Sequence, residues 1–292
     1  MFVVTVDDKN RRLFEDMAPE EFFDPLDKEG HFVLGAIGED EQGMYAAGVL
    51  SFDVIDDYDG EDRLLIGMLR WLYVAEEFRN RGAADALMEE YFRLLAHAGI
   101  ELAVLDLPFN TRYDELCMYL EGWGFSFFLT DRFELRLSMQ EVMEIPELWG
   151  KASYNVKPIN SLNKEEIKQV IRKAEELDYI DPDFRDKLKG CDKKISAVVY
   201  RNEEIKGLAV MYPLASNILE ISFFRMFQKE TAGIRDLIYH ITEQTLAKYG
   251  EQVQIRGLCR NEESANMISK LFPHIQPILV HRGICITLDE EE

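Results

Sequence analysis

Six consecutive residues, Arg79-Asn80-Arg81-Gly82-Ala83-Ala84, have the types and spacing that could do chemistry. A side-chain-poor segment that opens a helix presents backbone N–H groups with no partner inside the helix, together with the positive end of its dipole. Both favour a phosphate. Gly82 and the two alanines let an anion approach the backbone, and Arg79 and Arg81 add positive charge. A short glycine motif also occurs as a plain bend between a strand and a helix, so the elements around it decide the reading.

Those elements are well marked. Ala84, Leu87, Met88, Tyr91, Leu95 and Ala98 recur at helical spacing and predict one apolar helix face, with Glu89 and Glu90 on the other side and Gly99 as the stop. Leu72-Tyr73-Val74 reads as the end of a strand, joined to the loop by an acidic link.

The chain has 292 residues, enough for two domains, and its 47% hydrophobic and 11% aromatic content predicts packed cores. No apolar run approaches the ~20 residues that span a bilayer, and the start lacks the pattern of a secretory signal. Cys117, Cys191, Cys259 and Cys285 are scattered, which predicts reduced thiols in a cytoplasmic protein rather than disulfides or a zinc site. The five histidines give no metal pattern either, so no metal is expected. Residues 56–62 are acidic with Asp-Gly at the tip, but their spacing does not fit a calcium loop.

Charge is uneven. Residues 1–150 hold 33 acids against 12 bases, and residues 151–292 hold 22 against 21. The first half should repel nucleic acid and anionic membrane and attract a cation, beyond the general service of acidic surface to solubility.

Taken in order, the first half reads as a strand at 2–6, a helix-like stretch over 11–23 with breaks near Pro19 and Pro25, a hairpin of strands at 31–37 and 44–55, and a strand over 63–74. The loop and its helix come next, then a strand over 100–107, a helix over 110–121, and two strands around Thr130-Asp131. The second half repeats this: a strand at 154–159, a helix over 163–177 capped by Asn163 with Glu166 three residues on, a short helix over 182–189, and strands at 194–200, 205–212 and 219–227. A long helix over 233–248, a strand over 252–258, a helix over 262–271 and final strands over 275–288 complete it. Gly82 and Gly233, and likewise Asn110 and Asn261, lie 151 residues apart. The chain therefore reads as an internal duplication of an α/β unit, with domains at 1–147 and 148–292.

The run from Val74 to Ala84 resembles the acetyl-CoA signature of the GNAT superfamily of N-acetyltransferases: a strand end, a short acidic-aromatic link, then R/Q-x-x-G-x-G/A. The element order and the Gly124-Phe125 pair extend the resemblance to the whole chain, as two tandem GNAT-like domains, each a mixed, mostly antiparallel twisted sheet flanked by helices. The resemblance implies that the backbone of Leu72, Tyr73 and Val74 meets the pantetheine arm. It implies that Arg79, Asn80, Arg81, Gly82, Ala83 and Ala84 hold the pyrophosphate, with Asn110 nearby.

Departures from the family pattern matter as much. The position that often carries a tyrosine acid is Leu120, the strand position that often carries a glutamate base is Met68, and the usual asparagine is Tyr113. Tyr119, Tyr113, Tyr73 and Asp106 are the candidate replacements. In the second copy, Thr231 stands where the first glycine belongs, Ile268 replaces the tyrosine and Phe272-Pro273 replaces Gly-Phe. The second domain is therefore expected to have lost the cofactor. The expected activity is acetyl transfer from acetyl-CoA to a primary amine, with a small cationic molecule or a lysine side chain as acceptor and no nucleic-acid partner. The alternative is an acyl-CoA-binding sensor or scaffold whose catalysis has lapsed. Oligomeric state is open.

Overall fold

One apolar helix stripe organises the first half of the chain. The computed structural model describes all residues except 24–25, 27–29, 41–42, 60–61, 146–153, 177–183, 216, 228–230 and 288–292. Ala83–His97 forms helix α1 and buries Ala83, Leu87, Met88, Tyr91 and Leu95. Burial stabilises each of the larger side chains by about 1.5–3 kcal/mol. Tyr91 brings a polar group into this core and satisfies it, its hydroxyl donating to the Gly67 carbonyl at 2.7 Å.

The contacts divide the chain into two compact units. Unit 1 comprises Met1–Thr130 and Leu279–Glu292, and unit 2 comprises Asp131–Ile278. In unit 1 the strands β1 (Phe2–Thr5), β2 (His31–Asp40), β3 (Gly43–Asp59) and β4 (Asp62–Val74) form an antiparallel run. Beyond it, β5 (Leu102–Pro108) lies parallel to β4, and β12 (Ile278–Ile286) pairs antiparallel with β5. Helices α1 and α2 (Asp114–Glu121) share one core with the sheet, including Leu50, Phe52, Leu105 and Leu120, while a second core of Phe14, Phe23, Val33 and Val49 packs with Trp71 and Tyr73.

Unit 2 repeats the arrangement. Strands β7 (Asn155–Pro158), β8 (Ala197–Arg201), β9 (Glu204–Ala215) and β10 (Ile218–Met226) run antiparallel. Next, β11 (Gln254–Cys259) is parallel to β10 and pairs antiparallel with Phe133 to Ser138 of β6 (Ser126–Ser138). The helices are α3 (Met139–Met143), α4 (Lys164–Glu175), α5 (Phe184–Gly190), α6 (Thr231–Tyr249) and α7 (Glu262–Leu271). The expected cap of α4 is present as a full capping box between Asn163 and Glu166. Asn110 and Asn261 play the same part in the two passes, each accepting a backbone N–H at the start of a helical turn. No helix among the described residues is long and apolar enough to cross a membrane.

Two expectations need correction. Residues 11–23 form two 3-10 turns, Arg11–Leu13 and Glu20–Phe22, rather than a helix. Pro19, extended at ψ 147°, interrupts the helical run between the two turns. The two strands expected around Thr130-Asp131 are one, β6, with no glycine or proline to turn it there. The Thr130 hydroxyl instead donates to the Val280 carbonyl at 2.9 Å. The compact units are grouped by contacts and not by the order of the duplication. Strand β12, last in the chain, belongs to unit 1, and most of β6, last in the first pass, belongs to unit 2. The 147/148 boundary itself lies outside the described residues.

Candidate functional site

A gap in a parallel strand pair makes the site in unit 1. Strands β4 and β5 pair only where Ile66, Gly67 and Met68 face Leu102, Ala103 and Val104. Beyond Met68 the two part, while β4 stays paired with β3 as far as Val74. The Ala75 N–H donates to Ala47 on the β3 side. Strand alternation then turns the backbone groups of Val74 and Leu72 the other way, toward the gap. The Tyr73 side chain, by contrast, packs against the core on the opposite face.

The loop comes directly after this strand end. A 3-10 turn, Glu76–Phe78, leads to Asn80 at φ 58° and Gly82 at φ 78°, both left-handed, before α1 begins at Ala83. Gly82 meets open space, since a Cβ built there would touch nothing within 4 Å. The backbone at the start of α1 is therefore accessible beside Gly82, which suits an anion cradle. Phe78 stacks on Tyr45 with ring centroids 4.2 Å apart, and the Arg81 guanidinium lies 5.8 Å from the Phe78 ring centroid. Arg79 donates from Nε to the Val74 carbonyl at 3.2 Å and sits 3.8 Å from Glu76, an exposed contact that contributes little.

The candidate acid and base residues are engaged elsewhere. Tyr119 donates its hydroxyl to Asp85 Oδ1 at 2.8 Å, joining α2 to the first turn of α1. Burial, and then that hydrogen bond, raise its phenol well above the usual range. Asp106 is held by both arms of Arg282, Nε to Oδ1 at 2.7 Å and Nη2 to Oδ2 at 2.6 Å. Tyr113 is half-buried at the end of a 3-10 turn whose cap is Asn110, with the Asn110 side chain accepting from the Arg112 N–H at 3.0 Å. Leu120, at the family's tyrosine position, is fully buried in the core. The gap and loop thus bring together Leu72, Val74 and residues 79–84, while Tyr119, Asp106 and Asn110 have structural partners.

Sequence reading missed two groups. Arg282 and His281 come from β12, where His281 packs between Phe109 and Phe127 at centroid distances of 5.6 and 5.1 Å. Strand alternation in Val-His-Arg-Gly-Ile-Cys-Ile signals a strand, but nothing local says that it lies beside β5. The second group is His31, Asp53 and Arg70 on three adjacent strands. His31 meets Asp53 Oδ1 at 2.6 Å and the Phe22 carbonyl at 2.9 Å, and Arg70 Nε donates to Asp53 Oδ2 at 2.8 Å. Burial alone would raise the Asp53 carboxyl; the His31 hydrogen bond and the Arg70 charge outweigh it and bring it from 3.8 to about 2.

In unit 2 the matching gap differs. Gly233 lies inside α6, not in a left-handed loop, and a Cβ there would come within 2.5 Å of the Met226 methyl. Gln228, Lys229 and Glu230 of the altered loop lie outside the described residues. Among the described residues no cluster of His, Cys, Asp or Glu could hold a metal ion.

Residues 4–116 match the model of the acetyltransferase (GNAT) family. A tandem GNAT protein from the clavulanic acid biosynthesis pathway is similar along 99% of both chains, with 10% identity and a TM-score of 0.66. A GCN5-related glucosamine N-acetyltransferase region of a fungal multi-domain GH3 β-N-acetylglucosaminidase covers 97% of this chain at 12% identity and a TM-score of 0.65. This chain spans 38% of that protein. A GCN5-related N-acetyltransferase from Sphaerobacter thermophilus covers 89% of this chain, and this chain 82% of it, at 10% identity and a TM-score of 0.54. No curated protein sequence matches.

Proposed function

We propose that unit 1, whose residues 4–116 match the acetyltransferase (GNAT) family model in a chain with the tandem GNAT fold, binds acetyl-CoA and transfers its acetyl group to a primary amine. The observation that carries this reading is the left-handed pair Asn80 and Gly82 at the start of α1, with open space beside Gly82. The residues fit the cosubstrate. The N–H groups of Gly82 to Ala84 and the guanidinium groups of Arg79 and Arg81 suit a pyrophosphate, and the backbone edge of Leu72 and Val74 suits an amide-bearing arm. When bound, the group supplies a thioester activated for attack.

This chain's own contribution is positional. A neutral amine aligned at a thioester can gain about 7–11 kcal/mol from positioning alone, so Asp106 and Tyr119 need not act as base or acid. The acidic surface of the first half favours a cationic acceptor. Four free cysteines support a cytoplasmic setting.

Calorimetric titration with acetyl-CoA, followed by thiol-release assays over a panel of polyamines, aminoglycosides and lysine peptides, tests the reading. Binding with turnover on at least one amine is expected. Binding without turnover would favour an acyl-CoA sensor, a reading that the fixed partners of Asp106 and Tyr119 support. Absence of binding would overturn both.

A further inference from the structure

Strands β4 and β5 part after Met68 and Val104, and two residues beyond that last pair each strand carries a charge, Arg70 on β4 and Asp106 on β5. The two charges are used differently. Asp106 is closed, with both carboxylate oxygens held by Arg282. Arg70 is engaged on one side only. Its Nε donates to Asp53 Oδ2 at 2.8 Å, and among the described residues none accepts a hydrogen bond from its Nη1 or Nη2. The Arg70 side chain is 41% exposed, against 25% for Asp53 and 5% for His31.

The sheet fixes where this guanidinium stands. Ser51 pairs with Trp71 and Phe52 with Leu69, so Arg70 is the extra residue of a β-bulge and has no partner on β3. A bulge re-aims the side chain it carries. Phe52 and Leu69 pack into the core shared with α1, and alternation turns Asp53 to the opposite face, where it takes the Arg70 Nε. Asp53 Oδ1 is taken in turn by His31 Nδ1 at 2.6 Å, and His31 Nε2 meets the Phe22 carbonyl at 2.9 Å. A carbonyl and a carboxylate only accept, so both ring nitrogens donate and the imidazole is positively charged. Asp53 is thus answered from the buried side as well, and it does not consume the whole charge of Arg70. An arginine tied at Nε keeps its Nη1–Nη2 edge for a planar, two-pronged anion, which a carboxylate matches.

We propose that Arg70 anchors the acceptor: the amine that unit 1 acetylates also bears a carboxylate, held by the Nη1–Nη2 edge of Arg70 where β4 and β5 part. Resting on the acetyl-transfer reading, this anchor narrows the acceptor to amino carboxylates. Basic amino acids suit both ranges of the field, with a net positive charge for the acidic first half and a carboxylate for Arg70.

The test uses the full chain and two matched pairs, L-lysine with cadaverine and L-ornithine with putrescine, which differ only by the carboxylate. Thiol release with acetyl-CoA should favour an amino acid over its diamine by about tenfold or more in kcat/KM, and calorimetry without acetyl-CoA should show saturable binding of that amino acid. Arg70→Gln should erase the preference and weaken that binding by about tenfold, with the urea midpoint and the acetyl-CoA affinity close to native. Arg70→Lys keeps the charge without the fork and should restore only part of both. Equal use of amino acid and diamine, or a preference that survives Arg70→Gln, would overturn the anchor and leave acetyl transfer standing. If no amine turns over, calorimetry decides alone. Amino-acid binding that Arg70→Gln weakens supports the anchor, and binding that is absent or indifferent to Arg70→Gln overturns it.

Discussion

Gly82 holds a backbone conformation, φ 78°, that L-residues adopt only at about 1–2 kcal/mol, and a Cβ there would meet nothing within 4 Å. Gly82→Glu puts a carboxylate into the proposed anion hollow, and like-charge contact there should weaken acetyl-CoA by about 30–100-fold in calorimetric titration. The same substitution should lower stability by only the conformational cost, because no packing contact is lost. Tyr119 calls for the opposite outcome. Its hydroxyl bridges α2 to Asp85 on α1, so Tyr119→Phe should cost about 0.5–1.5 kcal/mol of stability in urea unfolding and change thiol release by less than about threefold. Asp53 makes a pH prediction. Its folded carboxyl titrates at about 2 against an ordinary 3.8, so its contribution is fully present above pH 4 and is lost as pH falls toward 2. That difference corresponds to about 2 kcal/mol. Urea unfolding of the native chain and of Asp53→Asn should show a gap that shrinks by about that amount as pH falls from about 4 toward 2.

At the level of elements, the features that local periodicity determines were legible. Helix α1 runs over Ala83–His97 because its apolar residues keep helical spacing, and α4 starts where Asn163 and Glu166 form a reciprocal cap. The loop was legible for the same reason, since a glycine before an amphipathic stripe is a local signal. What was not legible is non-local. The pairing of β12 with β5 joins residues some 176 positions apart, as between Arg282 and Asp106, and a seven-residue strand carries no mark of its neighbour. Asp106 looked like an available carboxylate only because its partner lay at the far end of the chain. This topology predicts that removing β12, by ending the chain after Ile278, exposes the β5 edge and leaves Asp106 without its guanidinium. Amide exchange over Leu102–Pro108 should then rise sharply, and acetyl-CoA binding should fall, although no residue of the loop has changed. Arg282→Ala should reproduce part of the effect, because the half-buried Asp106 then lacks its partner.

Over the whole molecule, exchanging the last strands leaves the charge asymmetry intact. Unit 1 holds 32 acids against 11 bases and unit 2 holds 23 against 22. The unit proposed to hold a polyanion is thus strongly negative as a whole. Attraction must come from the few ångströms around Arg79, Arg81 and the first turn of α1, while the far field opposes approach. Salt separates these two scales, because screening beyond about 8–10 Å removes the repulsion of distant acids sooner than it removes contacts in the hollow. The association rate of acetyl-CoA should therefore rise as salt goes from about 20 to 200 mM, the reverse of ordinary steering between opposite charges. A cationic amine should respond the other way: its KM should increase over the same range, since the field that repels the carrier draws the acceptor in. Stopped-flow binding and thiol-release kinetics at matched salt would show both trends. A fall in the acetyl-CoA rate with salt would mean that positive charge outside residues 79–84 governs its approach.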